Sequence, residues 1–373
     1  MRLIFDARHM QNSFTGLGRY TGSLLVALLS SFSSKNFDVV VLVNEIQNPC
    51  DCALLSTVLA LQERERCTVH FLKTSPYSLA QQWQLAGKVN RLGGDYYFYP
   101  HFDLPLGISA KSIFVVHDLL PLLVDGYVQK HKLLKQFYFK AAIRHAMRRC
   151  DRCIADSENT RQDLIGLVGR RFSNRIEMAY LGPVLESSYH VSESKCDLSD
   201  GDVQANFLLY VGDRRPHKNL PRVIDLFMAL KSNGGYSGEL VIAGSMHNYG
   251  FDLDQYVAGK DGIRFVGNVS DESLARLYAA TDALVFLSEY EGFGLPVVEA
   301  ARYARKMILS DGGSLAEIAP PWACIIPNDT IFDIAVQIAA EYLNNEIKIN
   351  STKYNARFDW VLTSRNIFPE AYA

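Results

Sequence analysis

Short apolar runs recur along the whole chain, each bounded by turn residues and most followed by a longer amphipathic stretch. Runs this short and rich in Val, Ile, Leu, Phe and Tyr read as strands buried on both faces. The pattern predicts strands at 2–7, 38–43, 68–72, 95–99, 112–116, 152–156 and 175–179, then at 207–211, 239–243, 263–266, 283–287, 306–309 and 323–326. Helical periodicity fills most of the intervals. Strand alternating with helix predicts parallel, doubly wound sheets, an α/β fold. The runs fall into two sets, so two Rossmann-like domains are expected, residues 1–188 and 203–350, with the polar stretch 186–205 as the seam. Parallel sheets take ligands at the carboxyl ends of their strands. Two such sheets facing each other would line a cleft with strand-end loops.

Composition narrows the function without naming it. The chain has 373 residues, 48% hydrophobic and 21% charged, with a net charge of −2. That balance leaves no global nucleic-acid footprint. No apolar run approaches the roughly 18 residues a membrane span needs. The first residues read as a strand rather than a signal peptide, which points to the cytoplasm. Of the seven cysteines, Cys50 and Cys52 form one close pair and Cys150 and Cys153 another. Neither pair has the further Cys or His residues that would complete a zinc site, so inert thiols and no metal are expected.

Three stretches carry candidate chemistry. FTGLGRYTG, Phe14 to Gly22, follows the first strand and precedes an amphipathic run over Ser23 to Leu29. It is a poor dinucleotide fingerprint: the glycines start late, the third is out of place, and Arg19 occupies the turn. A plain loop before a helix explains it as well.

The second stretch is Ser288 to Ala300, SEYEGFGLPVVEA, after the strand 283–287. The glycines allow close approach of a ligand to the backbone, and Pro296 suits a first helical turn. A helix start there would favour an anion. Glu291 and Glu299 cannot bind phosphate, but they can accept hydrogen bonds from ribose and sugar hydroxyls. A nucleotide-sugar matches that combination; two surface carboxylates at a helix start are the plainer explanation. The third stretch is YVGDRRPHKN, where a basic cluster of Arg214, Arg215 and Lys218 follows a strand and could meet a diphosphate.

Together these stretches resemble the retaining glycosyltransferases of family 4, which have the GT-B fold. EGFGLPVVEA carries that family's paired glutamates, YVGDRRPHKNL resembles its basic phosphate loop, and Phe265 to Gly294 resembles the approach to the first glutamate. TGLGRYT resembles its glycine loop, Phe114 to Asp118 its strand-His-Asp element, Ala155 to Arg161 its S-x-x-T segment, and Phe358-Asp359-Trp360 the start of its C-terminal helix. The chain departs at Leu287-Ser288, where the family often has Pro-Ser, and before Glu317, where the usual Pro is missing.

The resemblance implies a GT-B chain whose C-terminal helix, in 351–373, crosses back to the N-terminal domain. It implies that Glu299 binds the donor ribose. Glu291 would bind the donor sugar, helped by the Gly292, Phe293, Gly294 and Leu295 backbone. Lys218 and one arginine, Arg215 ahead of Arg214, would neutralise the diphosphate. His117 would sit near an outer sugar hydroxyl, Asn268 near the base, and Gly16 and Gly18 in a loop closing over the donor. No protein nucleophile is evident, so a front-face route is implied. The opening RLIFDARHM…TGLGRYTGSLL resembles bacterial mannosyltransferases of surface polysaccharide synthesis. That implies GDP-mannose as donor substrate, no cofactor, and a glycan or polyprenyl-linked acceptor. A UDP-hexose enzyme or a sugar-nucleotide epimerase on the same fold is the alternative.

Two further stretches need a decision. Lys130 to Arg149 interleaves basic and aromatic residues and could touch the inner membrane face; a packed helix with a basic solvated side is the plainer reading. Asp252-Leu253-Asp254 spells a metal-binding D-x-D, but two acids at a helix start are explained by the helix dipole.

Overall fold

The computed structural model describes residues 1–11, 15–45, 53–63, 66–74, 79–128, 131–183, 206–233, 236–245, 247, 252–303 and 305–373. The expected seam at 186–205 and the Cys50/Cys52 pair lie outside the described residues.

All the predicted strands are present. They are β1 (Arg2–Asp6), β2 (Asp38–Asn44), β3 (Thr68–Leu72), β4 (Tyr96–Tyr99), β5 (Lys111–Val116), β6 (Arg152–Ala155) and β7 (Ile176–Met178), then β8 (Phe207–Val211), β9 (Glu239–Ala243), β10 (Ile263–Gly267), β11 (Ala283–Phe286), β12 (Lys306–Leu309) and β13 (Cys324–Ile325). β1 to β7 form one sheet in the order β3-β2-β1-β4-β5-β6-β7, and β8 to β13 a second in the order β10-β9-β8-β11-β12-β13. Every pairing is parallel. Strand order reverses between β1 and β4 in the first sheet and between β8 and β11 in the second. In such sheets the reversal leaves a crevice at the carboxyl ends.

By packing, residues 1–119, 130–184 and 358–373 make one compact unit, and 120–129 with 185–357 the other. The helix Trp360–Ile367 belongs to the first unit. Its N-cap, Asp359, accepts from the amides of Val361 and Leu362. Trp360 Nε1 donates to the Pro183 carbonyl at 2.9 Å. The approach is close enough that a Cβ on Gly182 would stand 2.6 Å from the Trp360 nitrogen, which is why a glycine is needed there.

One helix differs from expectation. It spans Gly16–Ser31, so it begins at Gly16 rather than near Ser23. Thr15 is the reason: its side chain accepts from the Gly18 amide at 3.1 Å and caps the helix. The three glycines read as a loop are helical residues.

Under β1 the first unit buries an ion pair. Arg8 Nη2 lies 2.7 Å from Asp6 Oδ2, and neither side chain is exposed. Tyr97 donates to the same carboxylate oxygen at 2.6 Å, and Arg8 Nη1 donates to the Thr74 carbonyl at 2.8 Å. Burial alone would push the Asp6 carboxyl up, but the Arg8 charge and the bonds from Arg8 and Tyr97 hold it below the usual carboxylate range. Cys150, one of the expected inert thiols, is buried, and burial pushes it up to about 12.

Removing one partner of such a pair leaves a buried, uncompensated charge. Asp6→Ala is therefore expected to cost about 3–5 kcal/mol of unfolding free energy. Replacing Asp6 and Arg8 together by leucine should recover most of it. Urea unfolding monitored by circular dichroism reads both, and a single variant within about 1 kcal/mol of wild type would contradict the account.

Candidate active site

In the second unit the site is built at the carboxyl end of β8. The strand runs into the loop 212–215, a single turn of 3-10 helix at Pro216–Lys218, and Asn219 in the left-handed region at φ 51°. The helix Leu220–Ser232 follows at once. Tyr210 donates to the Asp213 carbonyl at 2.8 Å and ties the loop to its strand.

The loop spreads its three cations. The Arg214 side chain is buried over the Phe265 ring, 5.1 Å from its centroid, with Asp254 at 3.8 Å. Arg215 is more exposed, lies 3.1 Å from Asp213 and donates to the Tyr127 hydroxyl at 3.2 Å. Lys218 Nζ donates to Glu291 Oε1 at 2.7 Å, and both side chains are largely buried. His217, between them, is buried and neutral: burial first, then the neighbouring Lys218 charge, pushes it down to about 3.

Glu291 is held by its own backbone. Its amide donates to the Gly312 carbonyl at 3.3 Å, and the Ser314 amide and hydroxyl donate to its carbonyl at 3.0 and 3.1 Å. Ser314 Oγ also donates to the Phe293 carbonyl at 2.7 Å. Gly294 has φ 101°, and a Cβ there would meet Leu315 Cδ2 at 2.8 Å, so only glycine fits. The helix Leu295–Ala301 begins next, with Pro296 in its first turn. Glu299, on that helix, accepts from the Tyr278 hydroxyl at 3.1 Å. Glu291 is 7% exposed and Glu299 3%, so neither is a surface carboxylate. Asn268 follows Gly267 at the end of β10 and is exposed.

The remaining candidates belong to the first unit. His117 follows β5. Its Nδ1 lies 2.6 Å from Asp156 Oδ2 and its Nε2 3.0 Å from the Pro100 carbonyl. Both partners only accept, so the ring is an imidazolium donating from both nitrogens. Burial would lower its pKa, but Asp156 outweighs burial and raises it. Asp156 has no signature of its own in the sequence; its neighbours do. Ser157 caps the helix Glu158–Val168 by accepting from the Thr160 amide, and Thr160 Oγ1 donates to the His117 carbonyl at 3.3 Å. Gly16 opens its helix with free space where a side chain would stand, and Gly18 is buried with its amide taken by Thr15.

The structure thus brings Lys218 and Glu291 into contact, puts Arg214 and Arg215 in the same loop, and sets Glu299 eight residues after Glu291 on the adjoining helix. Asp252 caps the helix Leu253–Val257 by accepting from the Gln255 amide at 3.1 Å, as a helix-start acid should. Among the described residues no group of three His, Cys, Asp or Glu side chains is arranged to hold a metal ion.

The chain is similar to known proteins in sequence and in fold. Residues 200–358 match the family glycosyl transferases group 1. The chain is 30% identical over 215 residues to the O-antigen chain mannosyltransferase RfbU of Salmonella typhimurium, a match that covers 57% of this chain and 54% of that protein. It is 24% identical to the O-antigen chain mannosyltransferase B of Escherichia coli, across 88% of this chain and 87% of that one. The crystal structure of Anabaena HepE in complex with UDP and glucose superposes with a TM-score of 0.66 at 17% identity, covering 99% of this chain and 98% of that chain. The fold is the GT-B type expected from the sequence.

His217 gives a test of the loop's electrostatics. Its folded pKa, about 3, lies below the ordinary value, so as pH falls below about 6.5 the unfolded chain takes up a proton that the folded chain refuses. Stability should then fall by about 1.4 kcal/mol per pH unit from this group. Urea midpoints between pH 7 and pH 5 should drop more steeply in wild type than in His217→Gln. Parallel curves would contradict a buried neutral His217.

Proposed function

We propose that this chain, whose residues 200–358 form a glycosyl transferases group 1 domain, is a retaining hexosyltransferase of bacterial surface polysaccharide synthesis. It moves mannose from GDP-mannose onto a glycan or polyprenyl-linked acceptor. The observation that carries this reading is the Lys218–Glu291 contact, with Arg214 and Arg215 in the loop that leads to Lys218. A cation for the leaving diphosphate and a carboxylate for sugar hydroxyls stand side by side.

The chemistry follows from charge. As the glycosidic bond breaks, negative charge builds on the diphosphate and positive charge on the sugar. Preorganised cations at the leaving oxygen stabilise that state. Lys218 and Arg215 take this role, with Arg214 behind them over Phe265. Glu291 and the backbone of Gly292 to Leu295 hold the sugar; Glu299 holds the ribose; the backbone at Asn268 meets the base. In the first unit, His117, Gly16 and Gly18 are the residues that the resemblance assigns. With these cations present no metal is required.

Mannose and GDP rest on the likeness to RfbU and the O-antigen chain mannosyltransferase B. The likeness to HepE bound to UDP and glucose favours a UDP-hexose as the second reading. A requirement for an acceptor separates either transferase from an epimerase.

The acceptor's lipid side has a candidate platform. Among the described residues no helix is long and apolar enough to cross a membrane. The helix Lys132–Arg149, however, opens with Leu133, Leu134 and Phe137 exposed at 82%, 69% and 72%, beside Lys132, Lys135 and Lys140. Apolar side chains among lysines suit an anionic lipid surface, here the cytoplasmic face of the inner membrane.

Lys218→Ala is expected to lower turnover roughly 10²–10³-fold, the scale of removing one transition-state charge partner, and activity should survive EDTA. Glu299→Ala should weaken GDP itself by about 1–3 kcal/mol, because its partner is the ribose. Turnover within a few-fold of wild type in the lysine variant, or loss of activity in EDTA restored by Mn²⁺, would overturn this assignment.

For the membrane face, co-sedimentation with phosphatidylglycerol vesicles should fall about tenfold when Leu133, Leu134 and Phe137 are all changed to serine. Binding should be weak to phosphatidylcholine. Equal binding by wild type and the triple variant would remove the helix from the proposal.

A further inference from the structure

The donor chemistry above leaves a second cluster of titratable side chains unused. It lies in the first unit, just past the carboxyl ends of β1 and β4. His101 Nδ1 is 2.5 Å from Asp103 Oδ1. Tyr99 donates to the same oxygen at 3.1 Å. The His9 ring lies 5.5 Å from that of His101, and its Nε2 is 3.5 Å from the Tyr99 hydroxyl. His9 is neutral: burial first, then His101, pushes it down to about 4.

Both hydrogen bonds to Asp103 land on Oδ1. Among the described residues no donor reaches Oδ2, although Asp103 is only 3% exposed. A carboxylate oxygen withdrawn from bulk water without a donor is costly, and it can only accept. An anion is excluded by its charge. A metal finds no group of three ligands there among the described residues. A hydroxyl suits it. The surroundings suit the rest of a sugar. Phe102 packs 4.3 Å from His101 and 4.4 Å from Phe139. Tyr138, half exposed on the helix Lys132–Arg149, has its phenol pushed up by burial first and then by the Asp103 charge. Carboxylate, imidazole and aromatic rings together provide acceptors for hydroxyls and flat faces for the C–H side of a pyranose.

We infer that the Asp103–His101 dyad is a saccharide subsite that binds the hydroxyls of the acceptor's terminal hexose. The inference rests on the proposed transferase reading for the word acceptor: the diphosphate and donor-sugar groups, Lys218, Arg215 and Glu291, all belong to the other unit, and the strand ends of the first unit hold this separate set. Asp103 Oδ2 accepts from one hydroxyl. His101, oriented through Nδ1 by Asp103, presents its ring beside it. Tyr99 fixes the carboxylate from below.

Saturation-transfer NMR and calorimetry with mannobiose and, separately, with GDP test this on wild type, Asp103→Asn and His101→Ala, with thermal unfolding as the check of fold. Wild type should bind both ligands. Each variant should bind mannobiose at least about tenfold more weakly, the loss expected for one charged hydrogen bond, and keep its affinity for GDP. His101→Ala, at the more exposed member, carries the expectation if Asp103→Asn does not fold. Equal mannobiose binding by wild type and a folded variant overturns the inference, as does a wild type that binds GDP and no mannobiose. Dyad-dependent mannobiose binding by a chain that binds no nucleoside diphosphate keeps the saccharide subsite and overturns the transferase reading instead.

Discussion

The contact between Lys218 and Glu291, 2.7 Å long and mostly out of water, is the constraint around which the second unit's strand-end loops are arranged. A buried ion pair adds little net stability, but losing either partner strands the other. Both residues are therefore held rigidly. Lys218 ends a single 3-10 turn that Asn219 closes in a left-handed conformation. Glu291 is fixed through its carbonyl by Ser314 and through the positive-φ glycine at position 294. In the proposed reaction the pair is also the resting state of the site. The carboxylate keeps the lysine satisfied until a diphosphate takes the lysine and sugar hydroxyls take the carboxylate.

The first unit follows the same rule at its own strand ends. Asp6 ends β1 against Arg8, Asp156 follows β6 against His117, and Asp103 lies past β4 against His101 and Tyr99. The first two carboxylates meet a cation that also donates to a backbone carbonyl, of Thr74 and Pro100 respectively. Those two pairs brace the loops at the carboxyl edge. Asp103 is instead engaged through Oδ1 alone, by His101 and Tyr99, and Asp156 likewise leaves its Oδ1 without a hydrogen-bond partner.

The strands were legible because a strand buried in a parallel sheet must be a short, continuous apolar run bounded by turn residues. Glu291 and Glu299 were legible because close spacing around two glycines is a local signal. The helix at Gly16 was not, because glycine argues for a loop and a single threonine cap outweighs it here. Contacts across long separations were also hidden: His117 and Asp156 are 39 residues apart, and Lys218 and Glu291 are 73 apart. Only the sheet order decides which strand ends become neighbours. The Lys132–Arg149 helix was ambiguous for a related reason, since periodicity marks an apolar side but not whether anything covers it.

The reading that one carboxylate serves both the resting lysine and the donor sugar is tested most directly by calorimetric titration of GDP and GDP-mannose into wild type and Glu291→Gln. The account predicts that the variant binds GDP at least as tightly as wild type, because Lys218 is released to the diphosphate, and loses the extra affinity that the sugar confers. Equal weakening of both ligands, or an unchanged preference for GDP-mannose, would contradict it.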